Sequence, residues 1–105
     1  MTGGLEIKKP VLESSRVVAT REQVSTDLGG EVAILNLKKG AYYGLEDVGA
    51  RIWSLLQEPI TVGEIRNILV SEYEVEPDRC ERDLIALLQR LADEELVEVR
   101  DEHVT

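Results

Sequence analysis

The stretch Glu31 to Leu45, EVAILNLKKGAYYGL, passes from an alternating apolar run through a basic turn into a second short strand. Between Glu31 and Leu37, Val32, Ile34 and Asn36 point one way and Ala33, Leu35 and Leu37 the other. Both faces are largely apolar, which predicts a central strand covered at least partly on both sides. Lys38-Lys39-Gly40 turns the chain back. In Tyr42-Tyr43-Gly44-Leu45, Tyr42 and Gly44 share one face and Tyr43 and Leu45 the other, and the glycine leaves room for another backbone to approach. A short strand beside helices can keep one edge free, and its unpaired N–H and C=O groups are the means by which extended peptides are captured.

Upstream, residues 1–15 mix Gly, Lys, Pro and Ser without a period and read as a flexible N-terminal arm. Arg16 to Asp27 is rich in Val and Thr and holds a strand whose register the sequence leaves open. Leu28-Gly29-Gly30 is a hairpin signal, because glycine enters positive-φ turns at little cost. Downstream of Glu46 the apolar period lengthens from two to about three and a half. Asp47 is placed to cap a first helix through Gln57, with Val48, Ile52, Leu55 and Leu56 on one face and Trp53 at its margin. Thr61-Val62-Gly63-Glu64 has the spacing of a capping box at the start of a second helix, which fades near Tyr73. Pro77 suits the first turn of a third helix running to about Glu94, with Cys80, Leu84, Leu87, Leu88 and Leu91 as its stripe. Leu96 to Val99 adds a short strand, and residues 101–105 form a polar tail. The order predicts an α+β domain over residues 16–100: a three-stranded antiparallel sheet followed by three helices, winged helix-turn-helix-like in outline.

Composition restricts what such a domain can do. The 105 residues carry a net charge of −9, and the acidity lies in the second half: residues 46–105 hold six arginines and no lysine against sixteen acids. Nucleic-acid binders neutralise phosphates with Lys and Arg, so this balance argues against DNA and RNA as partners, and equally against anionic membranes. The third helix, PDRCERDLIALLQRLADEE, has its arginines outnumbered two to one by acids, unlike a recognition helix. No apolar run approaches a membrane span and the N-terminus lacks the apolar core of a signal peptide, so the expected location is the cytoplasm.

Catalysis and metal binding find little to work with. Cys80 is the only cysteine and His103 the only histidine, which rules out an intrachain disulfide and leaves no metal site or cofactor to expect. His103 reads as a solvated residue of the C-terminal tail, and Cys80 as a small apolar residue in the helical stripe. Glu94-Glu95 and Asp101-Glu102 read as solvated surface.

Peptide capture remains. A ligand paired with Tyr42 to Leu45 would drop alternate side chains into a groove between that strand and the third helix. Leu84, Leu87 and Leu88 read mainly as core, with one of them as groove floor, and Asp83 as either a plain surface carboxylate or an acid facing the ligand. A fixed protein partner for the tyrosine strand is the competing reading, and a winged-helix regulator of DNA a third.

The ordered set Tyr42-Tyr43-Gly44-Leu45, Val48-Gly49-Ala50-Arg51-Ile52-Trp53-Ser54-Leu55-Leu56, Thr61-Val62-Gly63-Glu64-Ile65, Tyr73-Glu74-Val75, Cys80-Glu81-Arg82-Asp83-Leu84 and Leu91 with Leu96-Val97 resembles the PqqD-like proteins over roughly Val17 to Val99. The resemblance implies a non-enzymatic fold of three strands and three helices that recognises the leader region of a ribosomally made precursor peptide. It implies that the leader adds to the third strand, here Ala41, Tyr42, Tyr43, Gly44 and Leu45. The leader then packs on the third helix, here from Cys80 to Leu88 with Asp83, Leu84 and Leu87 between. A free-standing chain of this length is similar to the recognition proteins of lasso-peptide pathways, where the leader passes to a separate cysteine protease and then to a cyclase. The family also includes the carrier of the quinone-cofactor precursor peptide. Glu95 departs from the pattern, since glycine often stands there.

Overall fold

The computed structural model describes residues 10–100; the first nine residues and residues 101–105, including most of the expected arm, the polar tail and His103, lie outside the described residues. Nine elements follow in order: β1 Arg16–Ala19, β2 Gln23–Asp27, β3 Glu31–Asn36, β4 Ala41–Glu46, α1 Val48–Leu55, β5 Ile60–Thr61, α2 Val62–Glu72, α3 Pro77–Asp93 and β6 Val97–Arg100. They build the expected three-stranded antiparallel sheet, β2-β3-β4, and three helices, together with a second small sheet ordered β5-β1-β6. Arg16 to Asp27 therefore holds two strands, and the first of them belongs to the second sheet.

The hairpins follow from their turns. Gly29 and Gly30 sit at φ 79° and 93°, where a side chain would be strained, and Leu28 N–H reaches Glu31 C=O at 2.7 Å to close β2 on β3. Gly40, at φ 69°, closes β3 on β4 with its N–H 2.7 Å from Asn36 C=O. β3 is central as expected, but its two faces differ. Val32, Ile34 and Asn36 are buried under the helices, whereas Leu37, Val24 of β2 and Tyr42 of β4 are exposed on the other face.

Each helix begins as its sequence dictates, with one exception. Thr61 Oγ1 accepts the Glu64 N–H at 3.1 Å while Glu64 Oε1 accepts the Thr61 N–H at 2.9 Å, completing the capping box of α2. Pro77 occupies the first turn of α3. Asp47 stands at the N-cap of α1 but makes no side-chain cap bond; its backbone is at φ 49°, ψ −117°, a region L-residues rarely enter. The expected face of α1 is also rotated: Ala50, Ile52, Trp53 and Leu56 are buried, and Trp53 lies within the core rather than at its margin.

The core gathers Val17, Ile34, Leu56, Val62, Ile65, Leu69, Leu88 and Leu96 as its most enclosed apolar residues, all aliphatic, as a chain without phenylalanine requires. In α3 it takes Leu84, Leu88 and Leu91, and burying each such side chain is worth about 1.5–3 kcal/mol. Residues 10–15, read from the sequence as the end of the arm, pack on the domain. Val11 is buried and donates its N–H to Gln89 Oε1 at 3.2 Å, and the Arg66 guanidinium pairs with both Glu13 and Glu81.

Candidate functional site: a strand edge facing the third helix

β4 is an outer strand, paired to β3 on one side and to no other strand among the described residues. Asp47 N–H bonds Gly30 C=O at 3.1 Å, which sets the ladder: the pairs Val32–Leu45, Ile34–Tyr43 and Asn36–Ala41 exchange hydrogen bonds, and Tyr42, Gly44 and Glu46 turn their N–H and C=O groups outward. The same alternation aims Tyr43 and Leu45 inward beneath the helices and Tyr42, 75% exposed, to the outer face. A Cβ built on Gly44 meets nothing within 4 Å. The glycine thus sits in open space on the outer face, not under a close-packed neighbour.

Between this edge and the last turns of α3 runs a groove of about 460 Å³, walled by Tyr42, Tyr43, Gly44 and Leu45 on one side and by Leu87, Arg90, Leu91, Asp93 and Glu94 on the other. Tyr42, Tyr43, Gly44 and Leu45, the strand residues expected to meet a peptide, all line it. Ala41 belongs to β4 but does not line the groove. On α3 only Leu87 of the expected residues does. Leu84 and Leu88 are fully packed in the core, where they set the height of the helix above the sheet. Asp83 shares the ridge of Leu87 and Arg90 one turn nearer the helix start, exposed and 3.9 Å from Arg79 in an i, i+4 pair. Cys80 lies half-buried at that same end; desolvation pushes its thiol up, with the Asp83 charge adding to the effect.

The end of the groove is fastened by Asn36, the polar residue on the inward face of β3. Asn36 is buried; its Nδ2 donates to Glu94 C=O at 2.8 Å, and its Oδ1 accepts from Lys38 N–H at 2.9 Å and Lys39 N–H at 3.0 Å. One amide therefore ties the β3–β4 turn to the C-terminus of α3. The Tyr43 hydroxyl donates to the Glu94 carboxylate, and that bond, with burial adding to it, holds the phenol above its usual range. Lys38 bonds Glu95 at 3.1 Å, raising the lysine and lowering the glutamate, and Lys39 stands 3.7 Å from both Glu94 and Glu95. Glu95 itself is at φ 62°, in the left-handed region that favours glycine. The departure noted in the sequence thus sits where helix α3 ends, and the helix still stops at Asp93.

A free strand edge facing a helix wall of Leu87 and Leu91 beside Arg90, Asp93 and Glu94 belongs to a small α+β domain, a setting in which an extended peptide can add to a sheet. The chain belongs to the PqqD family: the family model described as "Coenzyme PQQ synthesis protein D (PqqD)" matches residues 31–97, from β3 to the start of β6. Two solved structures are similar to it. One, "TbiB1 in Complex with the TbiA(beta) Leader Peptide", is 39% identical with a TM-score of 0.74, and the match covers 84% of this chain and 99% of that one. The other, "Lasso peptide synthetase B1 complexed with the leader peptide", is 27% identical with a TM-score of 0.70, covering 78% and 96%. Comparison with curated proteins finds no match. No helix among the described residues is long and apolar enough to cross a membrane.

Proposed function

We propose that this protein binds the leader region of a ribosomally synthesised precursor peptide, without chemistry of its own, and presents it to the enzymes of a lasso-peptide pathway. The observation that carries the reading is the outward-facing N–H and C=O groups of Tyr42, Gly44 and Glu46 beside the Leu87–Leu91 wall. A leader strand opposite them forms main-chain bonds at every second residue. Its intervening side chains turn inward, over Tyr43 and Leu45, and meet Leu87 and Leu91. Affinity comes from the backbone and selection from the groove. Beyond the strand, the peptide continues along the α3 ridge past Leu87 toward Asp83 and Cys80.

Two leader-bound B1 structures that this chain resembles favour the lasso-peptide assignment over carriage of a quinone-cofactor precursor. In that pathway the bound leader is handed, in the cytoplasm, to a separate cysteine protease and then to a cyclase. The test is a titration of the full chain with a synthetic leader peptide from a precursor encoded beside its gene. Saturable one-to-one binding is expected, and failure of every such peptide to bind overturns the reading.

A further inference from the structure

The leader groove uses one edge of the β2-β3-β4 sheet, and the opposite edge, β2, is likewise unpaired among the described residues. Leu28 N–H bonds Glu31 C=O and Leu37 N–H bonds Glu22 C=O at 3.1 Å. Even-numbered residues of β2 therefore face β3, and Gln23, Ser25 and Asp27 present their N–H and C=O groups outward. Their side chains lie on the helix side of the sheet, where α1 does not reach the edge.

The space left there is a cleft of about 560 Å³, with Ser25 and Asp27 on its strand wall, Trp53 and Ser54 on its helix wall and Asp47 and Arg51 at one end. Past Gln57, which lines both, it meets a second hollow of about 680 Å³ that contains Gln23. Two side-chain polar atoms among the described residues are buried without a partner, and both belong to these walls: Trp53 Nε1, a donor, and Gln23 Oε1, an acceptor. Trp53 is only 3% exposed, so its indole N–H cannot turn to bulk water. A buried donor left unmade is costly, so a small movement of the cleft wall that brings Nε1 within reach of a ligand oxygen would be favoured.

Charge narrows the occupant. Arg51, the one cation among the residues lining the first cleft, is held by Glu72 through two bonds of 2.9 and 2.8 Å. Asp27 gives one oxygen to the Gly29 N–H at 2.8 Å, and Asp47 makes no cap bond, so two carboxylates face the cleft with no cation committed to them by any contact described.

We propose that this cleft is a second docking site, for an extended segment of a partner polypeptide that carries a lysine or arginine. The segment adds to β2 through Gln23, Ser25 and Asp27. The basic side chain lies between Asp27 and Asp47, and as the cleft wall yields an inward side-chain oxygen accepts from Trp53 Nε1 and a donor reaches Gln23 Oε1. Leader and partner would then occupy opposite edges of one sheet, four strand spacings or about 19 Å apart. The site does not depend on the leader reading and stands if no leader binds.

The chain has one tryptophan, so the indole N–H of Trp53 is a single resonance in a proton–nitrogen correlation spectrum. The probe is a displayed library of randomised nine-residue peptides selected on the full chain, with the recovered sequences synthesised and titrated. Lys- or Arg-bearing peptides are expected to move the Trp53 indole and the Gln23, Ser25 and Asp27 amides while leaving the Tyr42 and Gly44 amides in place. Ser25→Pro, which removes an outward N–H from an edge strand, should weaken them at least about tenfold. Asp47→Asn, which spares the strand, should weaken them about threefold at low salt. Recovery of no binding peptide, shifts confined to Tyr42–Leu45, or unchanged affinity in both variants overturns the proposal. Concentration-dependent shifts of the same resonances without peptide would identify a second copy as the occupant, and also overturn it.

Discussion

Replacing Gly44 with proline isolates the strand edge from everything else in the groove. Gly44 N–H points away from β3, so its loss takes no bond from the sheet, and proline is tolerated on an edge strand whose N–H faces solvent. With leader bound, the same N–H is one of six outward main-chain groups on Tyr42, Gly44 and Glu46. Proline removes that donor, and its ring carbon stands where the leader carbonyl would accept. The lost bond is worth about 1 kcal/mol and the stranded carbonyl about as much again, so the expected cost is about 2 kcal/mol, or roughly thirty-fold in Kd. Gly44→Ala is the control: its Cβ meets nothing within 4 Å and points to the outer face, so Kd should stay within about twofold. Calorimetric titration with a leader peptide, alongside circular dichroism, measures both effects. A folded Gly44→Pro protein with wild-type Kd would refute strand addition at β4. Loss of binding in the alanine variant would move the contact to the outer face.

Other expectations concern stability. Asn36→Leu strands Glu94 C=O and the Lys38 and Lys39 amides at the closed end of the groove, and should cost about 3 kcal/mol in urea unfolding; a loss below about 1 kcal/mol would mean the tie is idle. Asp47→Gly should stabilise by about 1 kcal/mol, because φ 49° strains any side chain, and thermal unfolding should rise by several degrees. Glu64, Glu72 and Glu95 are all held below the usual carboxylate range: Glu64 by bonds from Thr61, Glu72 by Arg51 and Glu95 by Lys38. Their folded-state values lie beneath their unfolded ones, so the stability they give is present above about pH 4.5 and drains as pH falls through the folded values. A flat unfolding midpoint between pH 6 and about pH 3 would contradict it.

The elements legible in the sequence are those whose cause is local. The alternation of Val32, Ile34 and Asn36, the Thr61–Glu64 box and Pro77 each announce a strand or helix within a few residues, and the strand wall of the groove, Tyr42 to Leu45, came with them. What was not legible depends on partners far along the chain. Val17 pairs with Ile60 on one side and Val99 on the other, and a two-residue strand at Ile60–Thr61 has no pattern of its own. Which turn of α3 lines the groove beside β4 is not legible for the same reason. Periodicity names Leu84 and Leu88 as apolar, but which turn of the helix stands over β4 is decided by the reach of Asn36 to Glu94, 58 residues away. Arg90, Asp93 and Glu94 look like plain helix surface until that crossing is known. Trp53 stands at the margin of the Val48–Ile52–Leu55 stripe, and only the packing of α1 on the rest of the domain brings it into the core.

The tie from Asn36 to Glu94 has a thermodynamic corollary. The groove has no walls until two halves of the chain have met, so a fully opened molecule has nothing with which to hold a leader. Binding is therefore linked to folding: a leader at a hundred times its Kd adds about 2.7 kcal/mol to the stability of the whole domain. In a cell the precursor peptide would thus act as a stabiliser of its own receptor, and the receptor's lifetime would follow the supply of unprocessed precursor.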